Sequence, residues 1–271
     1  MPPIDQAYFG TDAQRALLRR GRALYDICGN NPRYSYYGRG IGVADNTTDA
    51  VDLVAAMARL QGSSNIANIK DSDLPALRST AESMGLSVTH YARWIGGADS
   101  LKHARAIIAD HALPDDLSMI WIATDTPPET LASFADTALA CGVLPPATAV
   151  LTGTLKPGVA TAAVDGAGKV VSCAGGASYL HTDHAKGHQE CWWGMLATDP
   201  DRRGQRLSLI LGAHAMIAMH ERYGFTVFFT GVEPGNAPSE AICSRMGLAR
   251  DNTGILTIAD PSLLPGGRMT K

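Results

Sequence analysis

The order of apolar and polar positions divides the second half of the chain into alternating strands and helices. Asp165-Gly166-Ala167-Gly168 separates two small, β-branched runs, a composition that favours a hairpin. A third apolar run stops at Pro200, because proline cannot continue a ladder. Between residues 207 and 223, apolar side chains fall on nearly every helical face, which predicts a largely buried helix. The predicted strands are 159–164, 169–179, 191–198, 225–232 and 254–259, and the predicted helices are 207–223 and 237–246.

The first half of the chain repeats a shorter version of this order. Thr48 precedes a predicted helix and Gly62 follows it, and these residue types are typical of the two ends of a helix. Both halves carry the series helix, strand, helix, Met-Gly-Leu, strand, with Met84-Gly85-Leu86 in the first and Met246-Gly247-Leu248 in the second. This repetition suggests an internal duplication. The elements predicted in this half are helices at 49–60 and 74–84 and strands at 65–69 and 87–94.

A boundary between two domains is predicted near residues 105–116. Beyond it, residues 118–124 are predicted to form a strand and residues 129–141 a helix. A length of 271 residues suits one large domain or two modest ones. We therefore predict an N-terminal α/β domain over residues 1–112 and a second domain over residues 113–271.

Composition and charge exclude several classes of protein. With 23 Lys and Arg against 26 Asp and Glu, the formal net charge is −3, so a dedicated nucleic-acid binder is not expected. No run approaches the roughly 18 apolar residues that would span a bilayer, and the N-terminus lacks the basic start and apolar stretch of a secretory signal. The five scattered cysteines indicate reduced thiols. We therefore expect a cytoplasmic protein without membrane or nucleic-acid partners.

One segment between predicted strand 191–198 and predicted helix 207–223 carries the residues of an anion site. It contains Gly204 and the arginines Arg202, Arg203 and Arg206. The unpaired N–H groups and the dipole of a helix N-terminus attract anions. Glycine lets the backbone approach a phosphate closely, and arginines suit a pyrophosphate. The alternative is a solvated basic turn that caps a buried helix.

A second segment follows predicted strand 225–232. Its residues Asn236, Ser239 and Cys243 are spaced i, i+3, i+7, so all three project from one face of the predicted helix. If the strands before the two segments are neighbours in a sheet, that face looks toward the arginine-bearing loop.

Together the two segments resemble the signatures of the GNAT superfamily of acyl-CoA N-acyltransferases. The first signature is a strand with a Val-x-Pro-like exit and an Arg-Gly-x-Gly-x-Gly/Ala loop that opens a helix. The second is a strand followed by Asn, a small residue three positions on, usually Tyr seven positions on, and Gly-Phe eleven and twelve positions on. The matching residues are Thr198-Asp199-Pro200 and Arg203-Gly204-Gln205-Arg206-Leu207-Ser208, then Asn236, Ser239, Cys243 and Gly247-Leu248.

The resemblance covers about residues 115–262 and departs from the family pattern at a few positions. Arg206 and Ser208 stand where the usual loop has glycine, so Arg206 is a candidate for an added contact to the pyrophosphate. Cys243 stands where the family usually has a tyrosine that acts as general acid. Leu248 in place of Phe changes packing only.

The resemblance implies an α/β (α+β) fold with a GNAT-like mixed central sheet flanked by helices, preceded by a smaller α/β GNAT-like domain. It also implies an N-acetyltransferase that transfers an acetyl group from acetyl-CoA to a primary amine of a small molecule or to an amino terminus. The cofactor would lie where strands 193–198 and 225–232 splay apart, and N–H groups near Ala197 and Thr198 would stabilise the oxyanion. The residues that the resemblance assigns to acetyl-CoA are Leu196, Ala197, Thr198, Arg203, Gly204, Gln205, Arg206, Leu207, Ser208, Asn236 and Ser239.

Two residues are candidates for proton transfer in such a reaction. Glu190, at the start of the strand that carries the site, is the candidate base. Cys243 is the candidate acid, since a thiol with a reference pKa of about 8.5 could protonate a leaving thiolate of similar basicity. A solvated hairpin carboxylate and a buried structural cysteine are the respective alternatives.

Other hypotheses stay open at the level of sequence. His181, Asp183, His184, His188 and Glu190 are potential zinc ligands, but their spacing matches no common site, so no metal is expected. A metal-dependent hydrolase built on them and a non-catalytic acyl-CoA sensor are the rival functions. The first half, with its aromatic and glycine-rich segment 33–42, is interpreted as a non-catalytic, GNAT-like or lid-forming domain. The sequence leaves the oligomeric state open, a homodimer included.

Overall fold

Ten strands form one mixed sheet in the computed structural model, which describes residues 7–269. The strands are β1 (Tyr34–Ser35), β2 (Gly42–Val43), β3 (Ser63–Lys70), β4 (Ser87–Gly96), β5 (Leu117–Trp121), β6 (Gly158–Asp165), β7 (Val170–Ser178), β8 (Glu190–Thr198), β9 (Val227–Val232) and β10 (Ala249–Ala259). The helices are α1 (Asp12–Cys28), α2 (Ala50–Gln61), α3 (Leu74–Ser83), α4 (Ala98–Asp110), α5 (Pro128–Ala140), α6 (Thr148–Leu151), α7 (Leu207–Tyr223) and α8 (Ala237–Arg245). Among the described residues, no helix combines the length and the apolar character needed to cross a membrane.

The predicted strands and helices are all present, and α7 has the predicted bounds. The prediction that Thr48 caps the second helix is wrong, because Asp49 occupies the N-cap position and makes no side-chain capping bond. Strand β5 ends at Trp121, three residues before its predicted end. The predicted α/β class, a mixed sheet flanked by helices, is confirmed.

The two halves exchange their last strands. The strand order is β1-β2-β3-β10-β4-β9-β8-β7-β6-β5, so β10 lies between β3 and β4, and β4 lies between β10 and β9. The last strand of each repeat therefore pairs with the second-last strand of the other repeat. As a result, strands from both predicted domains, up to residue 112 and from residue 113 onward, share one continuous sheet.

The two faces of the sheet are covered by different helices. Trp193 is fully buried under α7, where its Nε1 donates a hydrogen bond to the carbonyl of Gly212 at 2.8 Å. A Cβ at position 212 would lie 2.8 Å from the Trp193 ring, so glycine makes the room for that ring. Trp192 faces the opposite side, where its ring lies 5.0 Å from that of Tyr37 and its apolar cluster includes Phe134 of α5. Successive residues of β8 thus bury one tryptophan on each face, as strand alternation requires.

Candidate functional site

Strands β8 and β9 pair at one end and separate at the other. They are neighbours, as predicted, and run parallel, with Glu190 opposite Val227 and Trp192 opposite Phe229, and the ladder ends at that last pair. Beyond it a cavity of about 270 Å³ lies between the strands, lined by residues 192–196 of β8 and residues 229–233 of β9 and the turn after it. Main-chain groups of β8 on that side therefore lack a strand partner.

A β-bulge bends β8 beside this cavity. The pairing with β7 shifts register between Cys173 and Gly175, so Met195 and Leu196 together face a single residue of β7. Met195 has a φ of 58°, a left-handed conformation that long side chains rarely adopt. A Cβ on Gly175 would lie 2.9 Å from the Met195 side chain, which explains the glycine on the partner strand. A bulge redirects local main-chain groups, and such bulges are frequent next to active sites.

The end of β8 presents alternate main-chain groups to its two sides. The N–H of Asp199 donates to the carbonyl of Val171 on β7 at 2.9 Å, and the carbonyl of Ala197 accepts from the Ser172 hydroxyl at 2.8 Å. Because successive residues of a strand alternate, Thr198 directs its main-chain groups away from β7. The main-chain groups of Leu196 and Thr198 are therefore directed away from β7, where the Thr198 carbonyl accepts from the Cys141 thiol at 3.3 Å, and the main chain of Ala197 is engaged by β7. The predicted cofactor contacts of these three residues stay predictions.

The loop before α7 exposes a series of unpaired N–H groups. Within residues 7–269, the N–H groups of Gly204, Gln205, Arg206, Leu207 and Ser208 have no hydrogen-bond partner. Arg206 (φ 60°, ψ 18°) is left-handed and adjoins the right-handed first residue of α7, which is the pair of conformations that forms an anion-binding nest, and Gly204 also has a positive φ of 83°. The dipole of the long helix α7 adds to the attraction for an anion.

The three arginines of this loop have different surroundings. Arg202 forms an ion pair with Asp116 and is thereby directed to the protein surface. Arg203 and Arg206 are exposed, and their side chains form no ion pair or hydrogen bond with the described residues. Arg206 keeps the left-handed conformation that the family's glycine would have, at a strain of about 1 kcal/mol. The structure thus leaves two of the three cations free for a ligand.

A chain of hydroxyl groups fixes the start of α7 to the end of β8. The hydroxyl of Ser208 shares a hydrogen bond with that of Thr198, which in turn lies 2.9 Å from the Ser172 hydroxyl. The side chain of Ser208 is therefore turned inward, and only its N–H remains for an anion. Ser208 stands where the loop of the GNAT signature has glycine, and its hydrogen bond to Thr198 explains why a serine suits this position. The same bond holds the loop's N–H groups beside the unpaired edge of β8.

Helix α8 brings its predicted face to the cavity. Asn236, Ser239 and Cys243 all line it. The Asn236 side chain also caps the helix, since its Oδ1 accepts from the Ser239 N–H at 3.3 Å. The i, i+3, i+7 spacing therefore identifies a face that does meet β8 across the cleft.

Cys243 is a poor proton donor to a thiolate in this setting. It is 2% exposed, and burial raises the pKa of its thiol to about 12. Transfer of its proton to a thiolate of pKa about 8.5 would be unfavourable by about 3.5 units, or about 5 kcal/mol. The prediction depended on a thiol and a leaving thiolate of similar basicity, and burial of Cys243 removes that similarity.

Glu190, the predicted base, is held in a buried ion pair. It is 3% exposed, and its Oε2 lies 2.8 Å from the Nη2 of Arg93. Glu190 is not one of the described residues that line the cavity. Arg93 is itself 2% exposed and also pairs with Asp251 at 2.8 Å. This network joins β8 to β4 and β10, the strands at which the two halves meet. The geometry gives Glu190 a structural role.

The histidine stretch does not converge on a metal site. The Nε2 of His184 lies 3.0 Å from Asp45, while the Nδ1 of His181 accepts from the N–H of Asp183 at 3.0 Å. Across residues 7–269, no group of three or more His, Cys, Asp or Glu side chains could hold a metal ion. Nothing in the described part of the chain therefore favours the metal-dependent hydrolase.

The sequence analysis missed the contribution of the first half to the cavity. Tyr37, Arg39, Asn65 and Tyr91 line it together with residues of β8 and β9. The available signal was segment 33–42, whose aromatic and arginine residues are unusual for a surface turn. Its placement required knowledge of the strand exchange, which no local pattern reveals.

Comparisons with known proteins agree with the architecture. No protein-family model matches the sequence, and no curated protein matches it. Among solved structures, a GCN5-related N-acetyltransferase from Kribbella flavida matches with a TM-score of 0.55 at 13% identity, covering 90% of this chain and 95% of that one. A GCN5-related N-acetyltransferase-like protein from Streptococcus suis matches with a TM-score of 0.53 at 14% identity, covering 91% and 100%.

A tandem protein is also similar. The tandem GNAT protein from the clavulanic acid biosynthesis pathway, solved without AcCoA, matches with a TM-score of 0.50 at 16% identity, covering 78% of this chain and 67% of that one. At such identities the likeness concerns the fold. The chain has the GNAT fold, in agreement with the resemblance found in its sequence.

Proposed function

We propose that the protein is an acyl-CoA-dependent N-acyltransferase that transfers an acetyl group to a primary amine of a small molecule or an amino terminus. The observation that carries this proposal is the series of five N–H groups, from Gly204 to Ser208, that have no hydrogen-bond partner among the described residues. The hydrogen bond between Ser208 and Thr198 fixes this loop to the end of β8, where β8 and β9 are no longer paired. The GNAT fold of the chain supports the same conclusion.

The proposed site divides the cofactor between loop and strand. The pyrophosphate binds the nest of N–H groups, where Arg203 and Arg206 add two cations. The pantetheine arm follows the parted side of β8 and bonds to main-chain groups of Leu196 and Thr198 as an extra strand would. The acyl group then lies in the cavity between β8 and β9, against the α8 face of Asn236, Ser239 and Cys243.

The proposed reaction is direct transfer. The neutral amine attacks the thioester carbonyl, a C–N bond forms, and the C–S bond breaks to release the CoA thiolate. Main-chain N–H groups beside the Met195 bulge stabilise the oxyanion. Glu233 is the one carboxylate among the described cavity-lining residues, and it pairs with Arg268 at 2.9 Å. In this proposal the amine therefore arrives deprotonated, and the nitrogen's remaining extra proton passes to the thiolate through solvent.

A second candidate function is acyl-CoA binding without transfer. It is favoured by the burial of both predicted proton-transfer groups, Glu190 in an ion pair and Cys243 as a neutral thiol. Such a sensor would keep the anion site and lack turnover on every amine.

Cofactor binding is tested by calorimetry with CoA and acetyl-CoA on two matched glycine variants. Gly204→Val forces a β-branched residue into a φ of 83° within the nest, and we expect CoA affinity to fall about 10-fold or more. Gly224→Val is the control, since Gly224 has a φ of 78° and equally open surroundings at the other end of α7. The control variant should bind CoA within about 3-fold of the unaltered protein.

Two results would contradict the proposal. If the unaltered protein binds neither CoA nor acetyl-CoA, the site is not a CoA site. If Gly204→Val and Gly224→Val bind CoA equally well, the loop is not the pyrophosphate site. Release of free thiol from acetyl-CoA against a panel of primary amines then separates the transferase, which turns over, from the sensor, which does not.

A further inference from the structure

Arg39 is a buried cation without a counter-ion. It is 6% exposed and lines the cavity between β8 and β9. Among the described residues, no Asp or Glu side chain forms an ion pair with it. Arg93, the other deeply buried arginine, contrasts with it because Arg93 has two carboxylate partners at 2.8 Å. The difference between them is that Arg39 faces a cavity.

The described residues provide partners for only part of the Arg39 guanidinium. Its guanidinium lies 5.2 Å from the centre of the Tyr37 ring and 5.3 Å from that of the Trp192 ring, and its Nη1 donates to the Tyr37 hydroxyl at 3.2 Å. Its Nε has no hydrogen-bond partner within residues 7–269. An arginine stays charged at any relevant pH, and burial of an uncompensated charge is far more costly than two ring contacts can offset. An anion in the cavity would complete the set of partners.

The segment that carries Arg39 is held in place from several sides. The Gly38 carbonyl accepts from the N–H of Ala147 at 2.6 Å, and both main-chain groups of Ile41 bond to the amide of Gln61 at 2.9 and 2.7 Å. A Cβ on Gly38, whose φ is 92°, would lie 2.7 Å from Pro146. The guanidinium is therefore presented to the cavity by a fixed backbone, which is the arrangement expected of a binding group.

We infer that Arg39 binds a carboxylate of a substrate that occupies this cavity, so that the protein selects carboxylate-bearing substrates. This inference rests on the proposed acyl transfer. The planar guanidinium matches a carboxylate with two parallel N–H···O bonds, and the flanking rings of Tyr37 and Trp192 hold its plane. Along β8, Arg39 contacts Trp192, three residues before the Met195 bulge, or about 10 Å at strand rise.

Two sources of that carboxylate share the same chemistry. It belongs either to the acceptor, as in an α-amino acid or a peptide C-terminus, or to the acyl group, as in a dicarboxylic acyl-CoA. The first predicts a preference among amines and the second a preference among thioesters. The two arms of one kinetic experiment distinguish them.

The experiment compares matched substrates that differ only in this group. In one arm, kcat/KM is measured for α-amino acids and for the corresponding amino-acid amides with acetyl-CoA. In the other arm, succinyl-CoA and acetyl-CoA are compared with one fixed amine. In one of the two arms the carboxylate-bearing member should be preferred by about 30-fold or more.

Variants at position 39 link the preference to the guanidinium. Arg39→Gln should reduce the preference, measured as the ratio of the two kcat/KM values, to within about 3-fold, and Arg39→Lys should restore part of it. Arg33→Gln is the control, because Arg33 is exposed, pairs with Asp49 and lies in the same segment. That variant should keep the full preference.

The outcomes separate this inference from the proposed function. Turnover without any preference for carboxylates in either arm, or a preference that survives in Arg39→Gln, overturns the role of Arg39 and leaves the transferase intact. If no amine is acylated, the same amino acids and amides are titrated by calorimetry into the protein with and without CoA. Equal binding of acid and amide, together with equal binding of succinyl-CoA and acetyl-CoA, then overturns the inference. Selective, Arg39-dependent binding of the carboxylate-bearing member of either pair supports it in a non-catalytic protein.

Discussion

The buried ion pair between Glu190 and Arg93 gives the sharpest test of what the predicted base does. Glu190→Gln keeps the size of the side chain and removes its charge. Arg93, 2% exposed, would then retain only Asp251, which is 29% exposed and lies at the end of the network. The variant therefore separates a structural carboxylate from a catalytic one.

The expected loss in free energy of unfolding depends on how far Asp251 still neutralises the buried charge of Arg93. Removal of one partner from a buried ion pair costs about 3–5 kcal/mol, because the other charge stays desolvated. Since Asp251 still faces Arg93 at 2.8 Å, the loss should lie near the lower limit, about 3 kcal/mol. Against a typical total of about 5–15 kcal/mol, that loss would be visible in any denaturation experiment.

Urea denaturation at pH 7 measures this loss in the free energy of unfolding. With a slope of about 2–3 kcal/mol per molar, the midpoint should fall by about 1 M with the slope unchanged. Asp251→Asn is the matched control, because it removes the more exposed carboxylate of the same network, and it should cost about 1 kcal/mol. Acyl transfer by the folded fraction of Glu190→Gln should stay within about 3-fold of the unaltered protein.

Two results would refute this reasoning. A midpoint equal to that of the unaltered protein would mean that the ion pair does not stabilise the fold. A stable variant that loses transfer about 100-fold, together with the acidic limb of its pH profile, would make Glu190 the general base after all.

Two further predictions concern the thiol of Cys243, which is buried, and the amine of Lys156, which is half-buried. Cys243→Ala should keep CoA affinity and turnover within about 3-fold of the unaltered protein, because a thiol of pKa about 12 donates no proton to the leaving thiolate. A 10-fold fall in kcat with unchanged CoA binding would contradict this. Burial lowers the pKa of Lys156 to about 7, so between pH 7 and 10.5 the unfolded chain binds more protons than the folded one, and this lysine makes stability rise with pH. Lys156→Met should therefore be more stable than the unaltered protein by an amount that shrinks by about 2–3 kcal/mol from pH 6.5 to 9.5 in urea denaturation. Exposed Lys186→Met is the control, and an equal pH dependence in both variants would refute the assignment.

Elements whose signals are local could be predicted from the sequence. Helix α7 was found with its bounds because seventeen residues of apolar, proline-free sequence end at a glycine, Gly224, which adopts the left-handed conformation of a C-cap. The loop at Gly204 and the face of Asn236, Ser239 and Cys243 could be proposed as parts of a site because each lies within one short segment. The structure brings the α8 face to the cavity wall and leaves the loop's N–H groups unpaired.

Features that depend on pairing or burial could not be predicted in the same way. The bulge at Met195 arises from the register between two strands, although Gly175-Gly176 in the partner strand was a usable signal for a close approach. The engagement of Ala197 by β7 depends on the same register. The role of Glu190 depends on Arg93, which lies 97 positions earlier in the sequence and reaches Glu190 only through the strand exchange.

The strand exchange also divides the work of the proposed site between the halves. The groups assigned to the cofactor all come from β8, the loop before α7 and α8, which follow one another within the second half. The groups that face a substrate beyond the acyl carbon include Tyr37, Arg39 and Asn65, which belong to the first half and reach the cavity because β4 and β10 cross over. Recognition of a cofactor can therefore be read from consecutive motifs, whereas specificity for the substrate is a property of the folded pair. On this argument, a substitution of Tyr37 or Arg39, the residues of segment 33–42 that line the cavity, should change which substrate is chosen and leave CoA affinity unchanged.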